Sequence, residues 1–295
     1  MMNFIVYTST VFFLVFYQVI NAEDSSEFGI TMGARSTNCS CGWRNRSPGR
    51  IIGGEEAGLH EYPLIAALVT PKLMIGFCGG SIITEYHVLT AAHCFPPMEG
   101  RELAVSVGEH DLNRKDETPY TQVIPIERVI MHAEYTRLGQ HNDIALAVLK
   151  SRIEFNQQVG PACLPYQALD LEGKKVLVIG WGRTTAKGSS SDILLKVELD
   201  VQPLSYCVKS YSYLRTSPPR QLCTHTKDKD SCKGDSGGPL LYRDPATNRY
   251  VVVGIVSFGK SCASKHGGVW TDVFAYKEWI QQKIAETNHG VKTCQ

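Results

Sequence analysis

The chain lacks an excess of charge of either sign. Thirty Lys and Arg face 29 Asp and Glu, a formal net charge of +1, which argues against a polybasic nucleic-acid binder and against an acidic interaction tail. It lacks internal repeats and low-complexity tracts. After its first residues it lacks any apolar run approaching the roughly 20 residues that span a bilayer, so the mature protein is expected to be free of the membrane. Metal-type cysteine spacing is also missing. Of ten cysteines only Cys39 and Cys41 lie close together, and no histidine pair accompanies them, so zinc is excluded and disulfides in an oxidising compartment are expected.

What is present begins with the leader. Phe4 to Ile20 is mostly apolar and ends at Asn21-Ala22 before Glu23-Asp24, the form of a secretory signal peptide cleaved after Ala22. A membrane anchor is the alternative, since no Lys or Arg precedes the run. Glu23 to Arg50 is polar, rich in Ser, Gly, Asn and Arg, and reads as an unpacked pro-segment. It holds two glycosylation sequons, at Asn38 and Asn45, the second weakened by Pro48. From Ile51 the texture changes to short apolar runs between Gly, Pro, Asn and Asp: 64–69, 80–83, 87–90, 103–107, 144–149, 175–179 and 250–256. That is an all-β pattern. One convincing helix is predicted, from Phe274 to Glu286, with Trp279, Ile280 and Ile284 at helical spacing.

Three motifs carry chemistry. In Gly234-Asp235-Ser236-Gly237-Gly238-Pro239 a serine sits in a glycine-rich turn that presents its hydroxyl. The N–H groups of Gly234 and Ser236 can converge there on one oxygen as an oxyanion hole. In Leu89-Thr90-Ala91-Ala92-His93-Cys94 a histidine follows an apolar strand, and a Cys78–Cys94 bridge would fix the backbone that carries it. In Asn142-Asp143-Ile144 a carboxylate opens an apolar strand, where it will be partly buried and will need a hydrogen-bonded partner.

Together these motifs resemble the trypsin/chymotrypsin family of serine proteases, in the chain order His93, Asp143, Ser236 and over nearly everything from Ile51 to about Asn288. The resemblance implies two six-stranded antiparallel β-barrels with a C-terminal helix, and a domain running from Ile51 through a C-terminal extension to Gln295. It implies that Ser236 is the nucleophile, His93 the base and Asp143 its orienter. It implies cleavage of protein or peptide chains after Arg or Lys, because Asp230 matches the floor of the specificity pocket, Ser231 lies beside it, and Gly259 and Gly268 match its walls. Ser257 matches the strand that holds the substrate backbone, with Phe258 where Trp is usual. The loop from Cys262 to Gly268 is a residue shorter than in trypsin.

Arg50-Ile51-Ile52-Gly53-Gly54 resembles the family's activation junction, which implies a zymogen whose new Ile51 ammonium pairs with Asp235. The same register implies the bridges Cys78–Cys94, Cys207–Cys223 and Cys232–Cys262. Cys163 matches a tethering cysteine, so Cys39 and Cys41 are expected to take Cys163 and Cys294 in some order. The product would be a secreted monomer with a tethered pro-segment, controlled by proteinaceous inhibitors. No cofactor is expected. The loop with Glu109 and Asp116 resembles trypsin's calcium loop, but a solvated acidic turn is the favoured reading. The Cys-Gly-Trp texture of the pro-segment resembles arthropod proteases, those of hymenopteran venom included.

Overall fold

The computed structural model describes residues 33–45, 55–114, 117–183, 190–227, 235–260, 266–287 and 290–295. The first barrel closes from β2 (Ile65–Thr70), β3 (Ile75–Thr84), β4 (His87–Thr90), β5 (Ala104–Val107), β6 (Gln122–Met131) and β7 (Ala145–Leu149), in the order β2-β3-β4-β7-β6-β5. The second uses β8 (Lys175–Gly180), β9 (Leu195–Gln202), β10 (Gln221–Thr224), β11 (Pro239–Asp244), β12 (Arg249–Gly259) and β13 (Gly268–Asp272). It runs β9-β10-β13-β12-β11-β8 and closes by the β8–β9 pairing, with β1 (Glu55–Glu56) added on β9. All pairings between these strands are antiparallel, and closure leaves few open edges.

Runs such as Ala145–Leu149 are buried throughout because they face a barrel interior on one side and covering segments on the other. The expected strands all form. β6, β9, β10, β11 and β13 lie outside the expected runs. In β6, Glu127 and Arg128 split the apolar residues and most of its positions stay at least partly exposed. A five-residue helix, α1 (Leu204–Val208), also adds to the single expected one.

The C-terminal helix α2 (Lys277–Thr287) follows a short 3-10 turn at Phe274–Tyr276 and turns Ile280 and Ile284 inward. Its end is held by a hydrogen-bonded chain through the buried His87. Thr287 Oγ1 donates to the carbonyls of Lys283 and Ile284, and so accepts from His87 Nε2–H. Thr84 Oγ1 in turn donates to His87 Nδ1, at 2.6 Å, and accepts from Tyr86 N–H. Burial, with Arg128 adding, lowers this imidazole to about 4.

Residues 33–45, part of the stretch expected to be an unpacked pro-segment, are packed against the barrels instead. Cys41 and Trp43 are buried. Trp43 Nε1 donates to the carbonyl of Gln157, and the backbone of Gly42 exchanges hydrogen bonds with Pro161 and Tyr250. Arg44 lies against Glu61, a fully buried carboxylate that also receives Lys196 and the N–H of Gly58. Polar composition misled because a few side chains, one aromatic and one cationic, do the packing. Two bridges, Cys39–Cys294 and Cys41–Cys163, join this segment to the C-terminal tail and to the loop before β8.

Candidate active site

His93 sits in the 3-10 turn Ala92–Cys94 that leaves β4, and the Cys78–Cys94 bridge ties that turn to β3. Its backbone N–H donates to Asp143 Oδ1 at 2.9 Å, and its Nδ1 lies 2.8 Å from Asp143 Oδ2. A carboxylate can only accept, so Nδ1 carries the proton and Nε2 keeps its lone pair. The imidazole is 18% exposed while Asp143 is fully enclosed.

Asp143 precedes β7. Its carboxylate receives a third donor, Ser257 Oγ at 2.5 Å, and its carbonyl receives Thr271 Oγ1. Asn142, at a positive φ of 52°, turns the chain into the strand. It is held by Tyr276 Oη and Arg220, which donate to its Oδ1, and by its own amide donating to the carbonyl of Glu134.

The serine comes from the other barrel. Gly79 N–H of β3 donates to the carbonyl of Ser236 at 2.8 Å. Gly237 has φ 77°, and a Cβ there would meet Thr90 Oγ1 at 2.2 Å and the carbonyl of Gly79 at 2.7 Å. Only glycine lets this turn lie so close to the residues leading into His93. The hydroxyl of Ser236 is half-buried and has no hydrogen bond among the described residues. Asp235 is buried, and its Oδ1 accepts the N–H of Gly182 at 2.9 Å. A Cβ on Gly182 would fall 2.2 Å from that carboxylate, so Gly182 too is required by close approach.

Gly259 and Gly268 face each other as register partners at the end of β12 and the start of β13. Among the described residues, the nearest atom to a Cβ on Gly259 would be the Gly267 carbonyl oxygen at 3.9 Å, an ordinary van der Waals contact. Tyr211, which sequence reasoning passed over, links these two strands. Its hydroxyl donates to the carbonyl of Gly267 and accepts the N–H of Lys260, both at 2.9 Å. Phe258 packs edge-on against Tyr211 and tilted against Tyr213.

Ser257 was expected on the substrate-holding strand, yet its side chain belongs to Asp143. Thr271 and Tyr276 also act on that acid or its neighbour. No local motif marks them, since each arrives from distant chain. Arg50, Ile51, Asp230, Ser231, Cys232, Gly234, Cys262 and Asp116, with the signal segment, lie outside the described residues. The Cys207–Cys223 bridge forms.

The expectation of a solvated acidic turn meets a different arrangement at Glu109. It is buried, with one oxygen on Ser106 and the other without a partner. Burial pushes its carboxyl above the ordinary range, ahead of the hydrogen bonds that lower it. Glu117 is turned to the N–H of Asp111. Among the described residues the only metal-like grouping is Cys78, Cys94 and His93, and its sulfurs are bonded to each other.

Two closed six-stranded barrels, with the Ser236 turn of one lying close to the residues that lead into the His93–Asp143 pair of the other, have the architecture of the chymotrypsin fold. The family model described as Trypsin matches residues 51–280, and the chain belongs to that family. Among its relatives, Venom serine protease 34 of Apis mellifera is 39% identical over 262 residues, 87% of this chain and 63% of the relative. The chain thus spans under two thirds of that relative's length. A venom serine protease of Polistes dominula is 37% identical, covering 86% of this chain and 92% of its own. The clotting factor G beta subunit of Tachypleus tridentatus is 35% identical over 79% of each.

Proposed function

We propose that the protein is a secreted endopeptidase that cuts after Arg or Lys and is made as a zymogen activated by cleavage after Arg50. The observation that carries this reading is the buried Asp143 holding His93 through two hydrogen bonds beside the Ser236 turn. Ser236 Oγ attacks the scissile carbonyl and loses its proton to His93 Nε2. The resulting oxyanion is held by the N–H groups of Gly234 and Ser236. His93 then returns the proton to the departing amine, and water repeats the cycle on the acyl-enzyme. Asp143 orients the ring and stabilises the imidazolium.

Asp230 pairs with the cationic side chain, and Ser231 beside it adds a hydroxyl to the site. Gly259 and Gly268 leave room for its length. The substrate backbone lies along Ser257–Gly259. Ile51, once freed as an ammonium, pairs with Asp235, a switch in which one partner does not exist before cleavage. Cys232–Cys262 closes the pocket loop. The signal ends at Ala22, and the pro-segment 23–50 stays attached through Cys39 and Cys41. A glycan goes on Asn38, whose exposed amide only accepts from Gln295 N–H. Asn45 donates its amide to the carbonyls of His60 and Gln157, and a glycan there would break both. The relatives named for venom and clotting support a role on protein substrates under proteinaceous inhibitors.

The test is a peptide-library profile of the trypsin-activated enzyme and of Asp230→Ser. The wild type is expected to select Arg and Lys before the cut, and the variant to lose that selection while keeping turnover of small esters. Full activity of the variant on arginine substrates would overturn the pocket.

A further inference from the structure

Two bridges fasten the same short stretch, Cys39 to Gly42, and they differ in how far solvent reaches them. In Cys39–Cys294 the Cys39 side is exposed and Cys294 is buried. In Cys41–Cys163 both sides are enclosed, at 0% and 1% exposure. Cys78–Cys94 and Cys207–Cys223 are buried at both ends as well. Among the described residues, Cys39 is therefore the one half of a bridge that a solution thiol can meet directly.

The two bridges are also close neighbours. Cys294 Sγ lies 3.5 Å from the carbonyl oxygen of Ser40, the residue between the two pro-segment cysteines. A Cβ on Gly42 would fall 2.9 Å from Cys163 Sγ, on the other side of Cys41. The C-terminal tail is laid over this place. Leu164 N–H donates to the carbonyl of Cys294 at 2.8 Å, Asn38 N–H donates to the carbonyl of Gln295, and Gln295 N–H returns a bond to Asn38 Oδ1. Thr37, Cys163 and Gln295 line one small cavity, so the tail stands at the approach to the buried bridge.

We infer that Cys39–Cys294 is a redox-sensitive latch, whose opening by a dithiol unfastens the pro-segment through an internal exchange. The inference rests on the reading that residues 23–50 are cut from the domain after Arg50. A thiolate of the dithiol attacks Cys39 Sγ, and Cys294 leaves as a thiolate. The second thiol of the reductant then displaces Cys39 and closes the reductant's own disulfide, so the dithiol loses two electrons and this bridge gains them. The freed Cys39 thiolate attacks Cys41 Sγ, two residues along, and expels Cys163. The two protons given up by the dithiol end on the thiols of Cys163 and Cys294, and the segment carries away a Cys39–Cys41 disulfide. One dithiol thus undoes both tethers. Without the latch it would have to reach Cys41–Cys163 directly, which burial opposes.

The test begins with the uncut full chain, treated with one equivalent of dithiothreitol, quenched with iodoacetamide and mapped by peptide mass spectrometry. Alkylation should collect on Cys163 and Cys294, with Cys39 joined to Cys41 and the Cys78–Cys94 and Cys207–Cys223 bridges intact. In the trypsin-cut enzyme, with a free Ile51 terminus confirmed by the same mapping, the fragment carrying Cys39 and Cys41 should leave the domain on a non-reducing denaturing gel. Cys39→Ala/Cys294→Ala should slow that loss about tenfold or more at equal dithiothreitol. First opening at a buried bridge, or equally fast loss from the variant, would overturn the latch. Alkylation confined to Cys39 and Cys294 would overturn the exchange step. A missing Ile51 terminus would count against the activation reading alone, and the uncut chain would still decide the latch.

Discussion

Asp143 beside His93 and Glu61 beside Arg44 are both fully buried carboxylates, and each receives several hydrogen bonds. Their partners differ in kind. Asp143 is met by a peptide N–H, an imidazole and a hydroxyl, of which the imidazole alone can change charge. Glu61 is met by Lys196 and Arg44, which are permanently charged, and by the N–H of Gly58. Burial pushes Glu61 up, but the hydrogen bonds from Lys196 and Gly58 and the field of Arg44 together take it below the ordinary carboxylate range. One acid is placed to respond when its neighbour takes a proton. The other is a fixed clasp, joining the segment that carries Arg44 to β9 through Lys196.

The largest effect separating them should come from Asp143→Asn. An amide there loses the preference for the Nδ1–H tautomer of His93, and kcat should fall on the order of 10⁴ with the fold retained. Steady-state kinetics with circular dichroism checks both halves, and a variant that is equally inactive because it is unfolded would erase the contrast. Glu61→Ala should do the opposite. It strands two cations beside a buried site and should cost about 3–5 kcal/mol in a denaturant titration, with kcat per folded molecule nearly unchanged.

Removing Cys39–Cys294 by a double Ala exchange should cost about 2–4 kcal/mol. The activated enzyme should still run as one species on a non-reducing gel, because Cys41–Cys163 remains. Loss of the pro-segment from that variant would show that Cys41 is not the tether.

The smallest effect belongs to His87. Its folded value, about 4, lies below the 6.5 of a free imidazole, so the unfolded chain binds the extra proton first. The stability it contributes is complete above pH 6.5 and is lost as pH falls from there toward 4. His87→Gln should flatten that window in thermal denaturation curves measured between pH 7 and pH 4. An unchanged slope would mean that the Thr84–His87–Thr287 chain does not hold α2.

Much of this was legible in the sequence for a physical reason. The tight turn at Ser236 and the turn that carries His93 to Asp143 each need local chain geometry, so Gly237 beside Ser236 and Ala91-Ala92 before His93 leave a local mark. Runs such as Ala145–Leu149 also declare themselves, because burial on both faces removes polar residues. What supports the site from a distance left no such mark. Thr271, Tyr276 and Tyr211 reach it from separate strands and loops, and nothing adjacent to them in the chain signals the contact; Ser257 was expected on the substrate strand, but its bond to Asp143 was not. Two cysteines in the pro-segment and two outside the core suggested bridges, but the pairing of Cys39 with Cys294 and of Cys41 with Cys163 needed the fold. The packing of Trp43 and Arg44 was hidden by the polar residues around them.

The most direct test of the central claim, that Ser236 is the nucleophile armed by His93, is fluorophosphonate labelling of the trypsin-activated protein followed by peptide mass spectrometry. The label should appear on Ser236 in the wild type, be absent from Ser236→Ala, and be strongly slowed in His93→Ala. A label that persists on another serine in Ser236→Ala, or that reaches Ser236 equally fast without His93, would contradict it.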